Sequence, residues 1–139
     1  MIVLDTNVLS EPLKSRPDER VLTWLRSLRE PCGVTSVSVG ELLTGVRALP
    51  AGRRRDGLLE SIESTLSTFA GAVLPYDEPA ARTYARLQER RRATGRPLAV
   101  EDGMIAAICT SRGTTLATRN IADFAELDLE LIDPWSAPH

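Results

Sequence analysis

Residues 1–11 read MIVLDTNVLSE. Ile2, Val3 and Leu4 run without a polar break into Asp5, Thr6 and Asn7. An apolar run without alternation predicts a short strand over residues 2–5 buried on both faces, as strands of parallel sheets are. Its last residue is a carboxylate. In an open parallel sheet, ligands bind beyond the carboxyl ends of the strands, near the point where strand order reverses. Asp5 is therefore expected at that rim. The position equally suits an aspartate that turns or caps the chain, and on position alone the two readings stand level.

Working outward, the pattern alternates strand and helix. A helix is predicted from Asp18 to Glu30, with Val21, Leu22, Leu25 and Leu28 inward and Pro31 ending it. A second strand follows at 33–36, a helix from about Val39 to Val46, and another from about Gly52 to Phe69. Residues 73–77 form a third strand. A helix opened by Glu78 and Pro79 runs to Gly95, and the apolar stretch 99–112 forms a helix closed by Gly113. Strands at 114–118 and 129–133 complete the chain. Strands alternating with helices predict an α/β sandwich around a mostly parallel sheet. With no repeat or linker, residues 1–139 are read as one domain.

Composition narrows the chemistry. The only histidine is His139, which excludes catalytic triads, histidine metal clusters and histidine general bases. Cys32 and Cys109 lack metal-type spacing and read as core residues. No stretch approaches the roughly 20 apolar residues of a membrane span. The first apolar run lacks the basic flank of a signal peptide, so a cytosolic location is expected. Net charge is −2, yet sixteen of the seventeen basic residues are arginine, ten of them grouped at 47–55 and 82–96. Such groups can grip phosphates locally or form solvated helix faces.

The remaining candidates are carboxylates. Glu41 follows the second strand; Ser38-Val39-Gly40-Glu41 also fits a capping box in which Glu41 bonds back to the Ser38 amide. Asp102 shares a helix face with Ile105, Ala106 and Cys109, so it lies on the core side of its helix, with Glu101 turned toward solvent. Thr118 and Arg119 precede Asn120 and Asp123 just past a strand end, where an Asx-turn or cap is the simpler role. Several carboxylates brought to one rim repel, and a cation resolves the repulsion. Oxygen-only ligation suits Mg²⁺ or Mn²⁺.

The segments LDTNVLSE, SVGELLTGV, AVEDGMIAA and LATRNIADF, in this order, resemble the PIN-domain ribonucleases. They are most similar to the VapC and FitB-like toxins of bacterial type II toxin–antitoxin modules. The resemblance spans essentially the whole chain, including Asp133-Pro134-Trp135. It implies a three-layer sandwich with a mostly parallel central sheet flanked by helices, and a Mg²⁺- or Mn²⁺-dependent hydrolysis of RNA phosphodiester bonds. By motif, Asp5 and Asp102 match the primary metal-binding aspartates and Glu41 the acidic residue after the second strand. Thr6, Asn7 and Thr118 become supporting residues, Asn7 orienting a carboxylate or water. Some relatives carry an aspartate directly after Thr-Arg, where this chain has Asn120. Others keep Thr-Arg-Asn with an aspartate three residues on, Asp123 here. The catalytic set is then Asp5, Glu41, Asp102 and Asp123, with Asn120 as the alternative fourth ligand.

The resemblance further implies a cognate antitoxin of the VapB or FitA kind, a homodimer, and operator DNA bound only through the antitoxin. Arg53, Arg86, Arg90 and Arg91 are the candidates for RNA-backbone contact. Two rival readings stay open at this point. A haloacid-dehalogenase-like phosphatase also ends its first strand in a nucleophilic aspartate, but its second aspartate is Asn7 here and the sole lysine is Lys14. A catalytically inactive PIN module serving as a binding subunit draws its support from Asn120.

Overall fold

A computed structural model describes residues 1–136, and His139 lies outside the described residues. Among them five strands form one sheet: β1 (Ile2–Leu4), β2 (Cys32–Thr35), β3 (Val73–Leu74), β4 (Thr115–Ala117) and β5 (Leu131–Ile132). Every pairing is parallel, in the spatial order β3-β2-β1-β4-β5. The six helices are α1 (Thr6–Ser10), α2 (Glu19–Ser27), α3 (Ser36–Arg47), α4 (Arg53–Ser67), α5 (Glu78–Ala93) and α6 (Val100–Arg112). No helix of the described residues is long and apolar enough to cross a membrane.

The pleat sorts the core into two layers. Val3 and Leu116 face α5 and α6, packing with Leu87, Ile105, Ile108 and Phe124. Ile2, Leu4, Val34 and Ala117 face the other way, onto Val8, Leu9, Val21, Trp24, Leu42, Val46 and Ile62 from α1 to α4. Both faces of β1 are thus covered, which is why its sequence shows no polar alternation. Each fully buried aliphatic side chain contributes about 1.5–3 kcal/mol of transfer free energy. The chain steps from β1 to β2 to β3, then crosses back to place β4 on the other flank of β1. The β1/β4 boundary is therefore the switch point. Leu4 sits opposite Ala117, so Asp5 and Thr118 leave the sheet side by side there.

Four of the five strands are one to three residues shorter than predicted, with polar residues such as Asp5 and Asp77 at their ends taking capping roles, and β2 keeps its predicted length but starts one residue earlier. Two local readings change. A short helix, α1, follows β1 at once, with Asp5 as its N-cap. The capping box at Ser38 and Glu41 does not form: α3 begins two residues earlier, and Thr35 is the cap, its Oγ1 accepting from the Ser38 amide at 3.1 Å. That places Ser38 inside the helix and releases the Glu41 side chain to point elsewhere. Glu11, the last residue of the opening motif, is buried. Its Oε2 accepts from the Asp18 amide at 2.9 Å and its Oε1 pairs with Lys14 Nζ at 2.9 Å, tethering the start of α2.

Candidate active site

Asp5 is only 4% exposed. Its Oδ1 accepts from the Thr6 amide at 2.8 Å and its Oδ2 from the Thr118 hydroxyl at 2.7 Å. One bond closes the first turn of α1; the other ties β1 to β4 across the switch point. Burial pushes its pKa above the ordinary carboxylate value, and these two bonds offset part of the rise. Both readings of Asp5 therefore hold: it caps a helix and is a buried carboxylate at the rim. Thr118 also receives the Asn120 amide at 3.1 Å, while Asn7 Nδ2 stands 3.5 Å from its Oγ1. Asn7 Oδ1 in turn accepts from the Arg119 amide at 3.3 Å. The supporting residues named from sequence thus form one connected set.

Glu41 is reached through Thr6, whose hydroxyl donates to Glu41 Oε1 at 2.8 Å. Ser38 Oγ lies 2.9 Å from Thr6 Oγ1 and 3.3 Å from Thr35 Oγ1. With the Thr6 proton committed to the carboxylate, the hydroxyls run Thr35 to Ser38 to Thr6 and end on Glu41. Its residue surface is exposed, but partial loss of hydration raises its pKa, the Thr6 bond lowers it, and the charges of Asp5 and Glu101 raise it again.

Asp102 enters from the first turn of α6, half-buried. Its pKa is pushed up to about 6, first by burial, then by the charges of Asp5, Asp123, Glu41 and Glu101. Four acids, three of them from segments other than α6, act on this one carboxyl. Asp123, exposed on the 3-10 turn Ile121–Phe124, ranks above Glu41 among them. Asn120 only caps that turn by its backbone position, without a side-chain bond. The charge of Asp123 thus reaches Asp102. Glu101, set aside from sequence as solvated, is exposed, yet its charge reaches both Asp102 and Glu41.

Helix α5 sets the position of α6. Gln88 is buried and holds the backbone of Leu98 at both ends, accepting from its amide at 3.0 Å and donating to its carbonyl at 2.8 Å. A Cβ on Gly103 would stand 2.7 Å from Tyr84 Cε2 and 3.5 Å from Leu98 Cβ. Gly103→Ala is expected to push the start of α6 off α5, moving Asp102 and destabilising the fold by about 1–3 kcal/mol in urea denaturation. Unchanged stability would show that Tyr84 moves aside freely.

The arginines divide differently from the sequence reading. Arg91 is 4% exposed and bonded to backbone carbonyls, so it is not available to a phosphate. Arg90 pairs with Asp128 at 3.1 Å. Arg86 borders a cleft with Thr110 and Ser111 at the far end of α6 from Asp102, about 12 Å along the helix axis at 1.5 Å per residue. Arg53 is exposed at the start of α4. Its neighbour Arg54, with Lys14, borders a groove of about 350 Å³ that begins at Thr6 and Glu41 and continues over Leu42, Val46 and Ile62. Neither was singled out from sequence, because only the fold brings α1, α3 and α4 together there.

The donor set fits a hard divalent cation. It is oxygen-only, and burial together with mutual repulsion opposes ionisation of Asp102. The ion pairs of the described residues use Glu30, Glu11, Asp18, Glu78, Asp128 and Asp77, and none involves Asp5, Glu41, Asp102 or Asp123. No group of three or more His, Cys, Asp or Glu side chains among the described residues forms a ready-made cage.

Comparison with known proteins follows this geometry. The family model for the PIN domain matches residues 2–129. Toxin FitB of Neisseria gonorrhoeae is 42% identical over 137 residues, covering 97% of this chain and 99% of that protein. VapC ribonuclease Y4jK of Sinorhizobium fredii is 40% identical over 137 residues, covering 97% and 98% respectively. Among solved structures, that of FitAB bound to an IR36 DNA fragment superposes with a TM-score of 0.94 at 41% identity, covering 100% of this chain and 99% of that one.

Proposed function

The chain belongs to the PIN-domain family, and from that premise we propose that it is the ribonuclease toxin of a two-component toxin–antitoxin module. In this reading it hydrolyses RNA phosphodiester bonds with Mg²⁺ or Mn²⁺ held by Asp5 and Asp102, supported by Glu41 and Asp123. The observation that carries it is Asp102, an acid at the switch point surrounded by four others and by no cation partner. An inactive binding module would have no need to hold these acids together at the price of stability. A phosphatase of the dehalogenase kind would need a second aspartate where this chain has Asn7, and a lysine at its site, whereas the sole lysine, Lys14, is paired with Glu11.

When bound, the ion supplies Lewis-acid stabilisation of the phosphoryl oxygens and lowers the pKa of a coordinated water. The chain supplies the rest. Thr118 and the Thr6 amide fix the rotamer of Asp5, so its outward lone pairs keep one direction. Thr6 holds Glu41 at the groove mouth, where a carboxylate can accept a proton from an attacking water. Arg54 and Lys14 offer positive charge along the groove, and the RNA backbone would follow them. A cognate antitoxin of the FitA or VapB kind is the expected partner. Its apolar side chains would fit the Leu42, Val46 and Ile62 floor, and operator DNA would be bound through it.

The test is cleavage of structured RNAs by the full chain, stripped of metal and then supplied with Mg²⁺ or Mn²⁺. Cleavage is expected only on metal addition and is expected to stop with excess chelator. Metal-independent cleavage, or turnover of a phosphomonoester with RNA left intact, would overturn the reading.

A further inference from the structure

Arg91 is a buried guanidinium with no carboxylate partner. A buried charge persists where its donors find acceptors, and here backbone carbonyls take the bonds from Nε and Nη1. Nε donates to the carbonyl of Arg96 at 2.9 Å, and Nη1 donates to those of Asp123 at 3.0 Å and Ala125 at 3.2 Å. Arg96 Nη2 adds a bond to the carbonyl of Ala122 at 3.3 Å. The segment so gripped has little structure of its own. After the single turn Ile121–Phe124, Ala125 is extended, and Glu126 and Asp128 take φ values of 66° and 53°. Phe124 and Leu127 pin it to the core from below. The Arg91 fork holds the carbonyls of Asp123 and Ala125, on either side of Phe124, and so fixes the backbone that carries Asp123.

We infer that Arg91 is a positioning residue of the acidic site, holding the backbone of residues 122–125 so that the Asp123 carboxylate stands beside Asp102. The inference rests on the reading of Asp123 as a member of the metal site. Arg91 touches neither the ion nor RNA and acts only through Asp123. A lysine keeps the charge but lacks the planar fork that serves several carbonyls at once. Arg91→Lys is therefore the discriminating variant.

The experiment is a double-mutant cycle on the full chain with Arg91→Lys and Asp123→Asn, read as Mn²⁺ affinity by electron paramagnetic resonance and as RNA cleavage. Losing the orientation of a ligand typically weakens metal affinity about 10–100-fold. Each single variant is expected to lose about tenfold, and the double variant no more than Asp123→Asn alone. Amide exchange at residues 122–125 is expected to quicken in Arg91→Lys. Equal losses in both backgrounds, wild-type affinity in Arg91→Lys, or wild-type affinity in Asp123→Asn would each overturn the inference. Should Arg91→Lys not fold, Arg96→Ala takes its place: a loss that vanishes in the Asp123→Asn background supports the clamp, and a loss that persists or is absent overturns it. Asp5→Asn separates the two levels. If it binds Mn²⁺ and cleaves RNA as wild type does, the acidic site is not the metal centre, and the reading on which the clamp rests fails. If it loses both while Arg91→Lys loses neither, only the clamp fails.

Discussion

Asp5→Asn is expected to lower metal-dependent RNA cleavage by at least about 10²–10³-fold, the scale at which losing one group that stabilises transition-state charge is felt. The substitution is nearly isosteric. Asn Oδ1 can still accept from the Thr6 amide while Nδ2 donates to the Thr118 hydroxyl, so α1 keeps its cap and β1 stays tied to β4. What disappears is the negative charge at the one position where burial, register and strand order converge. Because burial opposes that charge, the variant is expected to unfold at a temperature no lower than wild type. Thr118→Val gives the graded comparison. It leaves the carboxylate but frees its rotamer, and the expected loss is about 10–100-fold. Steady-state cleavage of a defined RNA, with thermal unfolding run in parallel, measures both. Wild-type cleavage by Asp5→Asn would remove Asp5 from the mechanism. Thr118→Val falling as far as Asp5→Asn would show that Thr118 does more than orient.

How much of this was legible in sequence follows from the range over which each signal acts. The parallel sheet was readable because a strand buried on both faces must be apolar throughout, and Ile2-Val3-Leu4 obeys. Asp5 and Asp102 were readable because each lies where an apolar period meets a polar residue, at a strand end or a helix start. The opposite error at Glu41 has the same source. Ser38-x-x-Glu41 fits a capping box locally, but Thr35, the buried last residue of β2, competes for the same amide and wins, and α3 starts earlier. Arg91 failed for a different reason. Three adjacent arginines at a helix end look like a phosphate grip, and only the helical period, which puts Arg91 on the face of Leu87 and Gln88, marks the one that points inward at the 121–127 segment 30 residues later. Arg54 and Lys14 were missed because their common groove exists only after α1, α3 and α4 pack. Local chemistry was visible wherever its partners were near in sequence; contacts across the fold were not.

The same geometry implies a tension between stability and function at Asp102, and its sign can be worked out. The folded-state pKa is about 6, above the ordinary aspartate value of 3.8. A raised pKa means the native state binds the proton more tightly than the unfolded state does. The stabilisation it brings is fully present below about pH 3.8 and is lost as pH rises through about 6. At pH 7–8 the metal-free protein therefore carries the repulsion among Asp102, Asp5, Asp123 and Glu41 unrelieved. Asp102→Asn is expected to raise the unfolding temperature of the metal-free protein by a few degrees at pH 7.5. The difference should shrink to nothing toward pH 4, where wild-type Asp102 is itself protonated. Mn²⁺ should reverse the order. At a hundred times its dissociation constant a ligand stabilises by about 2.7 kcal/mol, a gain that wild type receives and Asp102→Asn largely forgoes. Thermal unfolding of both proteins from pH 4 to 8, with and without Mn²⁺, tests this directly. If Asp102→Asn is destabilising at pH 7.5 without metal, Asp102 serves the fold rather than the ion. If Mn²⁺ stabilises both proteins equally, the ion is held elsewhere.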